Sequence, residues 1–141
     1  MRRVSILFHV TAALVFIQLV LGGLLVFGYT ETGSHLVFGF VVGVFVLASL
    51  IVSLIIKPHY RALELSSILL FVLMVIQGVL GFMSLDNSNV VIMHYINAVV
   101  IFGVAIAVAF FAMRWSRMST TTAVPRVATS ATPAPGPTAS R

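Results

Sequence analysis

Four long apolar stretches divide the chain, at about 5–28, 35–56, 63–84 and 91–113. Polar residues inside them are single and widely spaced. Each stretch is long enough to cross about 30 Å of hydrocarbon as a helix. The sequence lacks the short alternating segments of a membrane barrel, which leaves helices as the spanning structure. The first stretch exceeds the roughly 7–15-residue core of a signal peptide, and no small-residue cleavage site follows it. It therefore reads as a retained span.

The breaks between stretches are short and polar. Gly28 to Ser34 forms the first. Lys57, Pro58, His59, Tyr60 and Arg61 form the second, with Pro58 ending the helix before it. Asp86 to Asn89 forms the third, a turn cluster. Short connections make consecutive helices antiparallel neighbours. The expected fold is an all-α membrane protein, a four-helix up-down bundle over residues 1–118. From 119 to 141 the chain turns to Pro, Thr, Ala and Ser without apolar periodicity, which predicts a disordered cytoplasmic tail.

The two halves resemble each other. Gln18-Leu19-Val20-Leu21-Gly22 in span one matches Gln77-Gly78-Val79-Leu80-Gly81 in span three. His35 opens span two and His94 opens span four. Both pairings have the same offset of 59 positions, as do Leu14/Leu73, Ile17/Ile76, Val41/Val100 and Ala48/Ala107. The pattern predicts a tandem two-helix repeat.

That repeat has a chemical consequence. It puts His35 and His94 at one depth, near the same end of the second and fourth helices. Ionisable side chains in a span usually mark function. Two imidazoles facing across a bundle are a ligand pair for a flat metal macrocycle, and haem iron takes axial histidines. Gly39 and Ala98 follow the two histidines by one turn, where a small side chain leaves room for a macrocycle face. Gly22 and Gly81 thin the other two helices. Gln18 and Gln77 are placed to hydrogen-bond an imidazole or a propionate, or to act as interhelical glue. His9 and His59 read as solvated or headgroup-facing histidines. Glu31 precedes His35 by four residues and shares its helix face if the helix begins early; otherwise it is a solvated carboxylate.

Composition and charge sharpen this picture. Of 141 residues, 60% are apolar and 8% charged, against about 25% charged in soluble domains. A water-soluble globule is excluded. The net charge of +5 is not spread evenly. Arg2, Arg3, Lys57, Arg61, Arg114 and Arg117 share one side of the topology, whereas Glu31 and Asp86 lie on the other. The positive-inside rule then puts both termini in the cytoplasm of a cell-membrane protein. Trp115 beside these arginines reads as an interfacial anchor. No basic cluster interleaved with aromatics argues for nucleic acid. The chain has no cysteine, which excludes disulfides, thiolate metal sites, iron–sulfur clusters and covalently attached haem.

A Gln-x-x-Leu-Gly motif followed by a histidine opening the next helix, twice over, resembles one half of the heme A synthase family, or its compact prokaryotic form. The resemblance covers about residues 5–113. It implies a four-helix unit with haem-ligating histidines at His35 and His94, and Glu31 as the nearest counterpart of the family's catalytic Glu. The family places that Glu three residues before the His and Arg after it; here the spacing is four and Leu36 follows. The resemblance also implies haem as cofactor, b-type or haem O/A.

Three functions follow as expectations. The first is a b-type cytochrome that carries electrons in or beside a respiratory oxidase. The second is a compact heme A synthase, with a homodimer supplying a second bundle. The third is a structural or pigment-binding small subunit of a membrane complex.

Overall fold

The computed structural model describes residues 2–56, 60–85 and 87–121, with side chains described over 4–56, 60–85, 87 and 89–118. It has four helices: α1 (Arg2–Val26), α2 (Thr32–Ile55), α3 (Arg61–Met83) and α4 (Ser88–Thr121). Each contains a segment long and apolar enough to span a membrane. The expected spans begin two to three residues inside the observed helices. The tail expected to be disordered over 119–141 is helical through Thr121; its remainder, with Lys57, Pro58, His59 and Asp86, lies outside the described residues.

α4 runs well past the expected span, to Thr121. Its apolar stretch ends near Met113, but Arg114-Trp115-Ser116-Arg117 contains no helix breaker, so hydrogen bonding continues. At about 1.5 Å per residue the 34-residue helix is about 50 Å long, more than the hydrocarbon needs. Arg114 lies over the Phe110 ring at 5.8 Å.

Local chemistry fixes the turns at one end of the bundle. After α1, Gly28 adopts φ +76°, which residues with a Cβ rarely take. Its N–H donates to Leu25 O at 3.0 Å, and the Tyr29 N–H donates to Leu24 O at 2.9 Å. This pairing is a Schellman motif, and it satisfies carbonyls that the helix end would orphan. Before α4, the Asn87 side-chain oxygen accepts the Asn89 N–H at 3.0 Å, the bond of an N-cap.

The helices form a square. α1 packs on α2 and α4, and α3 packs on α2 and α4. Among the described residues, no Cα of α2 comes within 8 Å of one in α4, nor any of α1 within 8 Å of one in α3. The diagonals are therefore bridged only by side chains.

Packing is uneven along this square. Among the described residues, every fully buried side chain lies toward the end that carries the start of α1 and the Arg61, Arg114 and Arg117 positions. We call it the basic end, and the opposite one the histidine end. The basic-end core runs from Phe8 and Val15 through Val42, Val46, Leu63 and Leu70 to Ile101, Val108 and Ala112. Ala105, Ala109 and Ala112 let α4 approach its neighbours closely. Buried hydroxyls join them. Thr11 and Ser49 bond each other at 2.9 Å across α1 and α2. Ser53 and Ser67 return their hydroxyls to carbonyls of their own helices, Leu50 O and Leu63 O. Large apolar residues such as Phe40, Val44 and Ile92 stand more than 60% exposed, the surface a bilayer would cover.

Candidate metal centre

The histidine end differs in kind. Between residues 16 and 41, and between 71 and 100, no described side chain is fully buried. His35, His94, Gln18 and Gln77 are each half-buried there. α2 and α4 start at this end, so each histidine sits in the first two turns of its helix. Helical periodicity turns His35 to the same face as Val42, Val46, Ser49 and Ser53, which face the core.

The two rings meet edge to face across the α2–α4 diagonal. Their centres are 6.3 Å apart and their planes meet at 71°. The glycines expected to thin α1 and α3 admit these rings. A Cβ built on Gly22 would stand 3.1 Å from His35 Cε1, and one on Gly81 would stand 3.2 Å from His94 Cε1.

Both glutamines reach the histidines. Gln18 Nε2 lies 3.3 Å from each nitrogen of the His35 ring and donates to the His35 carbonyl at 3.0 Å. Gln77 Nε2 donates to His94 Nε2 at 3.1 Å. Gly39 abuts the Gln18 amide, with a virtual Cβ at 3.0 Å from Nε2. The room expected beside His35 for a macrocycle face is thus held by Gln18. Ala98, its counterpart on α4, is half-buried.

One member of the site was not expected. Asn97 donates to Gln77 Oε1 at 2.8 Å and to the Leu73 carbonyl at 3.1 Å. The position 59 residues earlier is Phe38, which has no donor to offer. Accordingly Gln18 Oε1 is buried without a hydrogen-bond partner among the described residues. His94 Nδ1 is likewise buried and unpartnered. The Gln77 amide engages the lone pair on Nε2, so the proton falls on Nδ1, where no acceptor meets it. The signal for Asn97 was in the sequence, as a polar residue breaking an apolar match between the two halves.

Glu31 lies apart from these contacts. It is the N-cap residue of α2, exposed, with no side-chain cap bond. Its backbone carbonyl accepts the His35 N–H at 3.3 Å, so the helix does begin early. Its side chain lines an open groove of about 520 Å³ with Ser34, Val37 and Val41. That is a different face of α2 from the one carrying His35, Val42 and Val46.

What this set could hold follows from distances and donor types. Two imidazoles gripping one metal from opposite sides need bonds of about 2.0–2.1 Å, and with a ring radius of about 1.1 Å their centres fall about 6–6.5 Å apart. The observed 6.3 Å fits that span. Among the described residues no group of three or more His, Cys, Asp or Glu could hold a bare ion. A macrocycle brings its own equatorial nitrogens and asks the protein only for the axial pair. Loose packing at this end fits a guest as well, since native interiors are otherwise close-packed. Ligation through Nε2 would displace the Gln77 amide from His94.

Compared with protein-family models, curated proteins and solved structures, the chain matches none.

Proposed function

We propose that this chain is a haem-binding membrane protein, a b-type cytochrome in which His35 and His94 hold one iron from opposite sides. The observation that carries the reading is the pair of imidazoles, edge to face with ring centres 6.3 Å apart, in the end of the bundle where no described side chain is fully buried. The absence of cysteine makes the haem non-covalent. Iron bound this way supplies one-electron transfer. The chain's role is electron transport in or beside a respiratory complex.

The residues divide the work. His35 and His94 bind, and their placement on diagonal helices sets the span. Gln18 and Gln77 hold the unligated rings through their amides, and ligation of His94 through Nε2 would release the Gln77 amide. Gly22 and Gly81 let the rings lie close to α1 and α3. The basic end faces the cytoplasm under the positive-inside rule, which puts the site near the outer surface of the cell membrane. The two hairpins are a tandem repeat on this reading, each contributing one glutamine, one glycine and one histidine.

The test is an absorption spectrum of protein purified after expression with ample haem. The expected result is a sharp reduced α-band of a low-spin b-type haem, absent in His35→Ala and in His94→Ala. Chromatography of the extracted pigment separates haem b from haem O, haem A or a chlorin. A colourless wild-type protein would overturn the proposal.

A further inference from the structure

The two histidines are held differently, and the difference starts at a backbone carbonyl. The Leu73 carbonyl can only accept, so the Asn97 side-chain nitrogen donates to it, at 3.1 Å. The same nitrogen gives its second proton to Gln77 Oε1, at 2.8 Å. That fixes the Gln77 amide with its Nε2 toward His94, 3.1 Å from the ring Nε2. A donor there requires the lone pair on His94 Nε2, so the ring proton is on Nδ1. One carbonyl thus sets the tautomer of His94 through two amides.

The first half has no such chain. Phe38 stands at the position of Asn97. Gln18 Nε2 is equidistant, at 3.3 Å, from the two nitrogens of His35. The lone-pair directions of those nitrogens diverge in the ring plane, and the in-plane space between them belongs to the Cε1 hydrogen. An atom equidistant from both therefore lies over the ring face, along neither lone pair. The directed bond of Gln18 goes to the His35 carbonyl, at 3.0 Å. Gln18 thus restrains His35 without taking its lone pair or choosing its tautomer, whereas Gln77 does both to His94.

A metal needs a free lone pair on each ring. His35 offers one at no cost in hydrogen bonds. At His94, Nε2 is engaged and Nδ1 carries the proton. Moving that proton to Nε2 would set it against the Gln77 donor. Turning the Gln77 amide over would set its Nε2 against the Asn97 donor. Either nitrogen of His94 becomes available only after the Asn97–Gln77 arrangement gives way.

We propose that Asn97 and Gln77 form a latch on the vacant site: they hold His94 against ligation, so that a metal macrocycle lodges first on His35 and reaches His94 only when the Gln77 amide withdraws. Asn97 is a positioning residue, acting on His94 through Gln77. The occupant rests on the haem reading of the site; the latch rests on the hydrogen bonds alone.

Two measurements test it. In haem-free protein carrying isotope-labelled histidine, at a pH alkaline enough for neutral rings, the nitrogen shifts of His94 report its tautomer, and His94→Ala identifies the signals. The expected result is a single Nδ1–H form in the unmutated protein and a mixture of tautomers in Asn97→Leu. Haem titration followed by absorbance then reads the latch itself. Gln77→Leu, with helix content checked by circular dichroism, should bind haem about fivefold more tightly than wild type, the effect of one competing hydrogen bond removed. Loss of a glutamine that served only to pack, or to orient His94 toward the metal, would change the affinity in the opposite direction. Mixed tautomers at His94 in the unmutated protein overturn the latch, as does a single tautomer retained in Asn97→Leu. Haem affinity unchanged or lowered in a folded Gln77→Leu also overturns it. A single tautomer with no haem uptake by either protein overturns the haem reading and the ordered entry, while the hydrogen-bond chain stands.

Discussion

The two ends of this bundle solve the same packing problem with different materials. At the basic end, alanine, valine and short hydroxyls bring the helices together, and Phe8, Leu63 and Leu70 are almost completely buried. At the histidine end, imidazoles and amides span the gap, and no described side chain is fully buried. In lipid, helix association has no hydrophobic drive of its own and depends on close contact and interhelical hydrogen bonds. The basic end therefore holds the fold, while the histidine end is free to be shaped for a guest. Stability and function are separated along one axis.

The strongest way to break this contrast is to empty the basic-end core. Phe8→Ala should cost about 3 kcal/mol or more of unfolding free energy, measured by denaturation of the detergent-solubilised protein. A change below about 1 kcal/mol would place the load elsewhere. Removing the Thr11–Ser49 bond with Ser49→Ala should have a smaller effect, about 0.6 kcal/mol, the average for such bonds in membranes. His94→Ala should leave the thermal transition of cofactor-free protein within a few degrees of wild type, because its surroundings are not closely packed. It should abolish any haem spectrum all the same. A collapse of the fold in His94→Ala would erase the division between the ends.

Finer changes sharpen the comparison within the histidine end itself. Asn97→Leu leaves Gln77 Oε1 without its donor and should destabilise by about 1 kcal/mol. Phe38→Asn places an amide at the equivalent position near the orphaned Gln18 Oε1. The new amide should return part of the packing lost at this half-buried site, so the net loss stays below the roughly 3 kcal/mol of a Phe→Ala truncation. A large loss in Phe38→Asn would show that the two halves are not interchangeable at that position.

How much of this was legible in the sequence depends on the scale. Helix number, type and approximate ends follow from apolar run length, because lipid permits few alternatives. The Gln–His pairing at both ends of the 59-residue offset was also legible, since few polar residues occur in the spans and their register stands out. What surrounds them was not. Gly39 invited a reading as open space, yet Gln18 fills it, because a long flexible amide reaches any small residue opposite. Which serines turn inward was invisible, for Ser49, Ser53 and Ser67 look like Ser66 until neighbours are placed. Asn97 went unread because an asparagine aligned with a phenylalanine looks like a failure of the repeat. In three dimensions it satisfies Gln77 Oε1, whose counterpart Gln18 Oε1 has no partner among the described residues.

The square arrangement leaves α2 and α4 out of backbone contact, and the chain crosses from one hairpin to the other only between Ile56 and Tyr60. Each hairpin carries one of the facing histidines. Anything that grips both rings is therefore a cross-brace between the two hairpins, added to the α1–α4 and α2–α3 packing that already joins them, and its binding energy becomes energy of assembly. If the chain were cut at that connection, the two hairpins would be partners whose affinity for each other rises with the concentration of the guest. The pair of histidines would then act as a thermodynamic clasp, and its strength could be read from reassembly alone.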